Sequence, residues 1–240
     1  MREAAQRLVD GVQLLKLSLR WQLGRRAWLA PALALGWPAY QAVSVLAGWT
    51  DTRFAAVDAQ NFLIGLPLIV IAIGLGVRII AGEIEQRTLE VTYTVPGGAR
   101  RVWLSKLLAA ALVLLVAGAA LAVVTAAFFT SYPLLALYGA LQGAVFYLAL
   151  ATGLGALLRS EITAALVTAM VLFFNGFLSG FGQVQRRWSP LFNPLGVTDE
   201  NSSDLLAWTI QNRIGVALLI LAIVALSCVR AERREQLLRI

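Results

Sequence analysis

Long apolar stretches alternate along the chain with short polar ones, on a length scale that exceeds the periodicity of a soluble helix or strand. Crossing the hydrocarbon core in a helix takes about 20 mostly apolar residues. Six stretches meet that requirement: Ala27–Trp49, Phe62–Ile80, Leu104–Phe129, Leu134–Leu158, Ile162–Phe181 and Leu205–Val229. The pattern predicts an all-α membrane protein with six transmembrane helices.

The first 25 residues follow a different rule. Leu8, Val12, Leu15, Leu19 and Leu23 recur at spacings of three and four, so a helix places them on one face. Lys16 and Arg20 lie beside that face. The segment 1–25 is expected to be an amphipathic helix in the membrane interface, anchored by Lys16 and Arg20. A plain extension of the first span is the competing reading. No secretory signal is expected, because the first apolar run is too long for a signal h-region. The chain thus divides into the interfacial helix 1–25, a six-span body 26–230 and a tail 231–240.

Composition supports this division. The AVILMFWYC set makes up 59% of the chain and charged residues only 14%, against about 45–50% and about 25% in ordinary soluble domains. Mean hydropathy is +0.76. So few charges could not cover a soluble surface, which excludes a soluble enzyme, a disordered chain and a collagen.

The net charge of +7 and pI ≈ 10.3 would suggest nucleic acid in a soluble protein. Distribution decides otherwise. With both termini inside, 16 of the 20 Lys and Arg fall on the inner side, and only Arg53, Arg186, Arg187 and Arg213 on the outer. This asymmetry predicts a multi-pass protein of the inner or plasma membrane, with cytoplasmic N- and C-termini and no nucleic-acid partner.

The absence of His and the single Cys, Cys228, remove most chemistry. No metal site of the zinc or copper type is expected, nor Ser-His-Asp or Cys-His catalysis. Cys228 lies in an apolar run and reads as packing. No G-x-x-x-x-G-K-[ST] string occurs, and no polar segment exceeds about 26 residues, too short for a nucleotide-binding domain. The chain is expected to be no enzyme and to bind no cofactor. The spans carry no acid at mid-depth, which disfavours proton coupling. Na⁺ coupling through carbonyls and hydroxyls stays open.

Within the spans, Gln41, Phe173, Asn175 and Phe177 are candidates for an uncharged path suited to an apolar or amphipathic substrate; helix packing or lipid contact is the alternative. Gly139…Gly143 and Gly176…Gly180 have GxxxG spacing, which permits close helix approach.

Two connections are long: Ala81–Trp103 inside, and an external loop over 182–206. The inner one reads GEIEQRTLEVTYTVPGGARRVWLSKLL. Glu83 and Arg87 form an i,i+4 pair in the favourable order, and Val95-Pro96-Gly97-Gly98 breaks the chain. Chemistry alone allows two readings, a short charged helix over 82–98 or an ordinary basic inner loop.

Glu83, then Thr88-Leu89-Glu90, Pro96 and Lys106 ahead of an apolar span together resemble the permeases of the ABC type-2 exporter family. Arg87 stands where Gly is common, and Ser105 precedes Lys106. The six-span layout, the interfacial helix, the short Arg159-Ser160-Glu161 connection and the large last outer loop are similar as well. The resemblance implies that 82–98 is a cytoplasmic coupling helix between spans two and three. Glu83, Glu85, Arg87, Thr88, Leu89 and Glu90 would face a separate ATP-binding subunit. Pro96 would end the helix, Lys106 would anchor at the headgroups, and Arg159 and Glu161 would make a second contact. It further implies two ATP-binding subunits carrying ATP and Mg, and a second permease chain, identical or not. A secondary transporter or channel working without ATP, or a membrane scaffold, are the alternatives.

Overall fold

A computed structural model describes residues 13, 16–18, 29–49, 54–88, 93, 98–178, 187–197 and 204–232. Among them the secondary structure is helical, with no strand. Six principal helices follow in order: α1 (Leu29–Leu46), α2 (Ala56–Glu85), α3 (Gly98–Phe128), α4 (Leu134–Leu158), α5 (Glu161–Leu178) and α6 (Leu205–Glu232). Four of them, α2, α3, α4 and α6, are long and apolar enough to cross a membrane. The apolar part of α5 is shorter, and α1 has 18 residues with Pro38 inside it. The chain is therefore a helical protein whose apolar helices are compatible with a multi-pass membrane protein.

The core is centred on α4, which packs along α2 and against α6. Small residues make the α2–α4 contact possible. A Cβ at Gly76 would lie 2.7 Å from the Leu148 carbonyl oxygen, and one at Gly155 would lie 3.3 Å from the Ala81 Cβ. With no bilayer-driven hydrophobic force between helices, such close approach supplies the van der Waals contact that holds them. Thr152 Oγ1 donates to the Leu148 and Gly76 carbonyls, at 2.8 and 3.3 Å, and so spends its hydroxyl inside the interface. The outward faces of α3 and α6 present Val116, Val123, Leu218, Leu221 and Leu226. Water would penalise so much apolar surface, whereas lipid does not.

The helices overrun the apolar stretches at several ends. Helix α2 continues through Gly82–Glu85, and α3 begins at Gly98, ahead of the apolar stretch that starts at Leu104. Glu83 and Glu85 are thus the last turn of α2 and not the beginning of a separate coupling helix. The chain turns at Gln86-Arg87-Thr88, where Arg87 takes a left-handed conformation with φ 55°. Tyr93 is helical, but Leu89, Glu90 and Pro96, proposed from sequence to contact a partner, lie outside the described residues, as does Arg20.

One irregularity sits near the start of α2. Residues Ala59–Gly65 form a π-helical stretch. Glycine is required at 65, because a Cβ there would run into the Gln60 carbonyl oxygen. Such wide turns inside α-helices are frequent at functional sites.

Candidate functional site

Two groups of polar residues lie at opposite ends of α2. The first gathers around its last turn. Glu83 is only 6% exposed and points into the bundle. Its Oε2 accepts from Trp103 Nε1 at 2.9 Å, and its Oε1 is ion-paired with Lys106 Nζ. The i,i+4 partner suggested by the sequence, Arg87, is exposed instead. Trp103 and Lys106 lie three residues apart on α3, so both reach the same carboxylate. A buried carboxylate needs such partners, since an unpaired charge away from water is costly. Lys106, expected at the headgroups, is turned inward and half-buried.

Glu85, two residues on, is exposed but engaged. Its Oε1 accepts from the backbone N–H of Glu161 at 2.8 Å. That N–H is one of the unsatisfied donors at the start of α5, and the carboxylate meets the positive end of the helix dipole there. Ser160 assists, its carbonyl accepting from Ala164 N at 3.0 Å. Arg159 closes α4 in the left-handed conformation, φ 58°, with its N–H on the Gly155 carbonyl. The Glu161 side chain rests on Gly82, where a Cβ would come within 2.7 Å of its Oε1. The structure therefore joins Glu83, Glu85, Lys106, Arg159 and Glu161 at one end of the bundle. Thr88 lies there too, its N–H donating to the Glu83 carbonyl at 3.0 Å. Ser18 Oγ lies 3.1 Å from Ser105 Oγ, which brings Ser18 to the same end; Lys16 is exposed.

The opposite end holds a cavity of ≈ 570 Å³. Its walls are the π-helical stretch of α2, Gly139 and Gly143 of α4, Phe173, Gly176 and Phe177 of α5, and the loop Ser189–Gly196 folded back over them. Phe192 anchors that loop: it is buried, and its carbonyl accepts from Gln60 Nε2 at 2.9 Å. Asn193 Nδ2 donates to the Val57 carbonyl at 3.0 Å. Of the path residues proposed from sequence, Phe173 and Phe177 line the cavity. Asn175 does not line it; it accepts a hydrogen bond from Ser189 Oγ and so ties α5 to the loop. Gln41 is half-buried on α1, its carbonyl accepting from Ser44 Oγ at 2.8 Å, away from the cavity wall.

Comparison of the chain with protein-family models, with curated proteins and with solved structures finds no match.

Residues that the sequence left unremarked complete both groups. Trp103 stands before an apolar run and resembles an interfacial aromatic. Gln60-Asn61 is a polar pair at the head of another run, a signal that was present in the sequence but ambiguous without knowing its partners.

Proposed function

We propose that the chain is the membrane-spanning permease subunit of an ATP-driven ABC transporter, exporting an apolar or amphipathic substrate and driven by separate ATP-binding subunits. In this reading α1 to α6 are six spans, the end carrying Glu83 and Glu85 is cytoplasmic, and two permease chains sit above two ATPases. The observation that carries the reading is the attachment of the polar elbow between α2 and α3. Its base is tied to α3 through Glu83–Trp103–Lys106 and to α5 through Glu85. A displacement of the elbow by a docked neighbour is thereby passed to three helices at once. Exposed Arg87 offers the neighbour a contact, while buried Glu83 transmits the movement. The sequence supports the division of labour, because it holds no phosphate-binding loop of its own.

The test is co-expression of the full chain with the ATP-binding-cassette subunits of the same genome, followed by extraction and reconstitution. Stable association with one such subunit, lost in Arg87→Glu, is expected. Transport by the chain alone on an ion gradient would establish the secondary-transporter alternative instead.

A further inference from the structure

Arg213 on α6 reaches the Gly139 face of the cavity wall. Its Nη1 donates to Gln142 Oε1 at 3.0 Å, and its Cζ lies 5.4 Å from the centre of the Tyr138 ring. Its Nε and Nη2 are buried and without a hydrogen-bond partner, and so is Oε1 of Gln60. Gln60 itself is 3% exposed and lines the cavity. The two side chains converge on one point: a Cβ on residue 139 would sit 2.7 Å from Arg213 Nη2 and 2.7 Å from Gln60 Nε2. Because residue 139 is glycine, no side chain stands between the guanidinium and the wall.

A half-buried cation with two nitrogens closed off from solvent and idle is expensive unless something neutralises it. Glutamine and a ring face supply no negative charge. The neighbouring cavity is mainly apolar and of the size that encloses a small ligand. We infer that this end of the molecule binds an anionic amphiphile. Its apolar tail occupies the cavity along Phe173 and Gly176. Its carboxylate or phosphate accepts from Arg213 Nε and Nη2 after rotation of that long side chain, and a hydroxyl of the head, or a water, donates to Gln60 Oε1. This deepens the export reading by naming a cargo class. It is measured on the permease chain alone, so its failure and that of ATP coupling are separate results.

The probe is radiolabelled oleate, with oleyl alcohol as the uncharged control, bound to the full chain in phosphatidylcholine nanodiscs. A charge-assisted pair gives oleate about a ten- to hundred-fold advantage over the alcohol. Arg213→Gln erases that advantage while the tail still binds, and Arg213→Lys retains part of it. Gly176→Leu abolishes binding of both probes; a Cβ at 176 meets nothing within 4 Å, so the larger side chain fills the cavity without a clash at its root. An anionic phospholipid and a transported cargo share this chemistry. A phospholipid that co-purifies one-to-one and is lost in Gly176→Leu identifies the lipid, whereas oleate that exchanges freely at a site retaining no phospholipid identifies cargo. Equal affinity for oleate and its alcohol, or oleate binding unaffected by both Arg213→Gln and Gly176→Leu, overturns the inference.

Discussion

Glu83 combines two features that a surface residue of a charged loop would lack: burial and a complete set of partners on another helix. Its carboxylate holds both Trp103 Nε1 and Lys106 Nζ. Removing one member of a buried ion pair leaves the other uncompensated, whereas removing both is far less costly. Glu83→Gln is therefore expected to lower stability by about 2–4 kcal/mol and Lys106→Gln by a similar amount. The double variant should lie well short of their sum. Thermal unfolding midpoints of the four proteins in detergent check this; strictly additive losses would show that the pair contributes nothing. The sequence presented Glu83 beside Arg87 on a helical repeat, and its true partners lie 20 and 23 positions away. Local spacing cannot rank a neighbour four residues on against one delivered by the packing of another helix, so the inward turn of Glu83 was not legible.

The helices were legible in their apolar cores and less so at their ends. Leu134–Leu158 agrees residue for residue with α4. The second apolar run, Phe62–Ile80, is shorter than α2 at both ends, because Gln60, Glu83 and Glu85 are polar yet remain helical. Each has found a partner outside α2: Gln60 in the Phe192 carbonyl, Glu83 on α3, Glu85 at the start of α5. A polarity rule ends a span wherever such residues begin, so it cuts α2 short. The π-helical stretch left no periodic trace, since one wide turn does not alter a uniformly apolar run. Its glycine makes it testable. Gly65→Ala would force a Cβ against the Gln60 carbonyl and is expected to cost about 1–3 kcal/mol, as other forced insertions into packed interiors do. It would also shift Gln60 and reshape the cavity wall. An unchanged unfolding midpoint would show that the wide turn is readily given up. At the other end of α2, Glu85→Gln removes a carboxylate from the start of α5 and is expected to cost about 0.5–1 kcal/mol, less at high salt.

At the scale of the whole molecule, the two ends have different tasks in the proposed function. The end with Glu83, Glu85, Lys106 and Glu161 would receive the push of a docked ATPase, and the end with Phe173, Phe177 and Arg213 would hold the amphiphile. The charge distribution predicts that the first end is cytoplasmic, since 16 of 20 basic residues fall on that side with both termini inside. In a Cys228→Ser background, a cysteine at Arg87 is expected to react with a membrane-impermeant maleimide only after permeabilisation, and one at exposed Trp188 to react in intact cells. The reverse pattern would invert the molecule and detach the elbow from any cytoplasmic ATPase. The cavity itself was only half visible from sequence. Phe173 and Phe177 marked one wall, while the other wall comes from Gln60, Gly139 and a loop 50 residues beyond Gly139, positions related only through the packing of α2 on α4.

The central claim is that work done on the elbow by a separate ATPase is passed into the helices through Glu83. The rate of ATP hydrolysis by the associated cassette subunit, measured in proteoliposomes with the wild-type chain and with Glu83→Gln, tests it most directly. The wild-type chain is expected to stimulate hydrolysis, and Glu83→Gln to bind the ATPase as well but to lose most of the stimulation and of the ATP-driven transport. Full stimulation and transport in Glu83→Gln would contradict it.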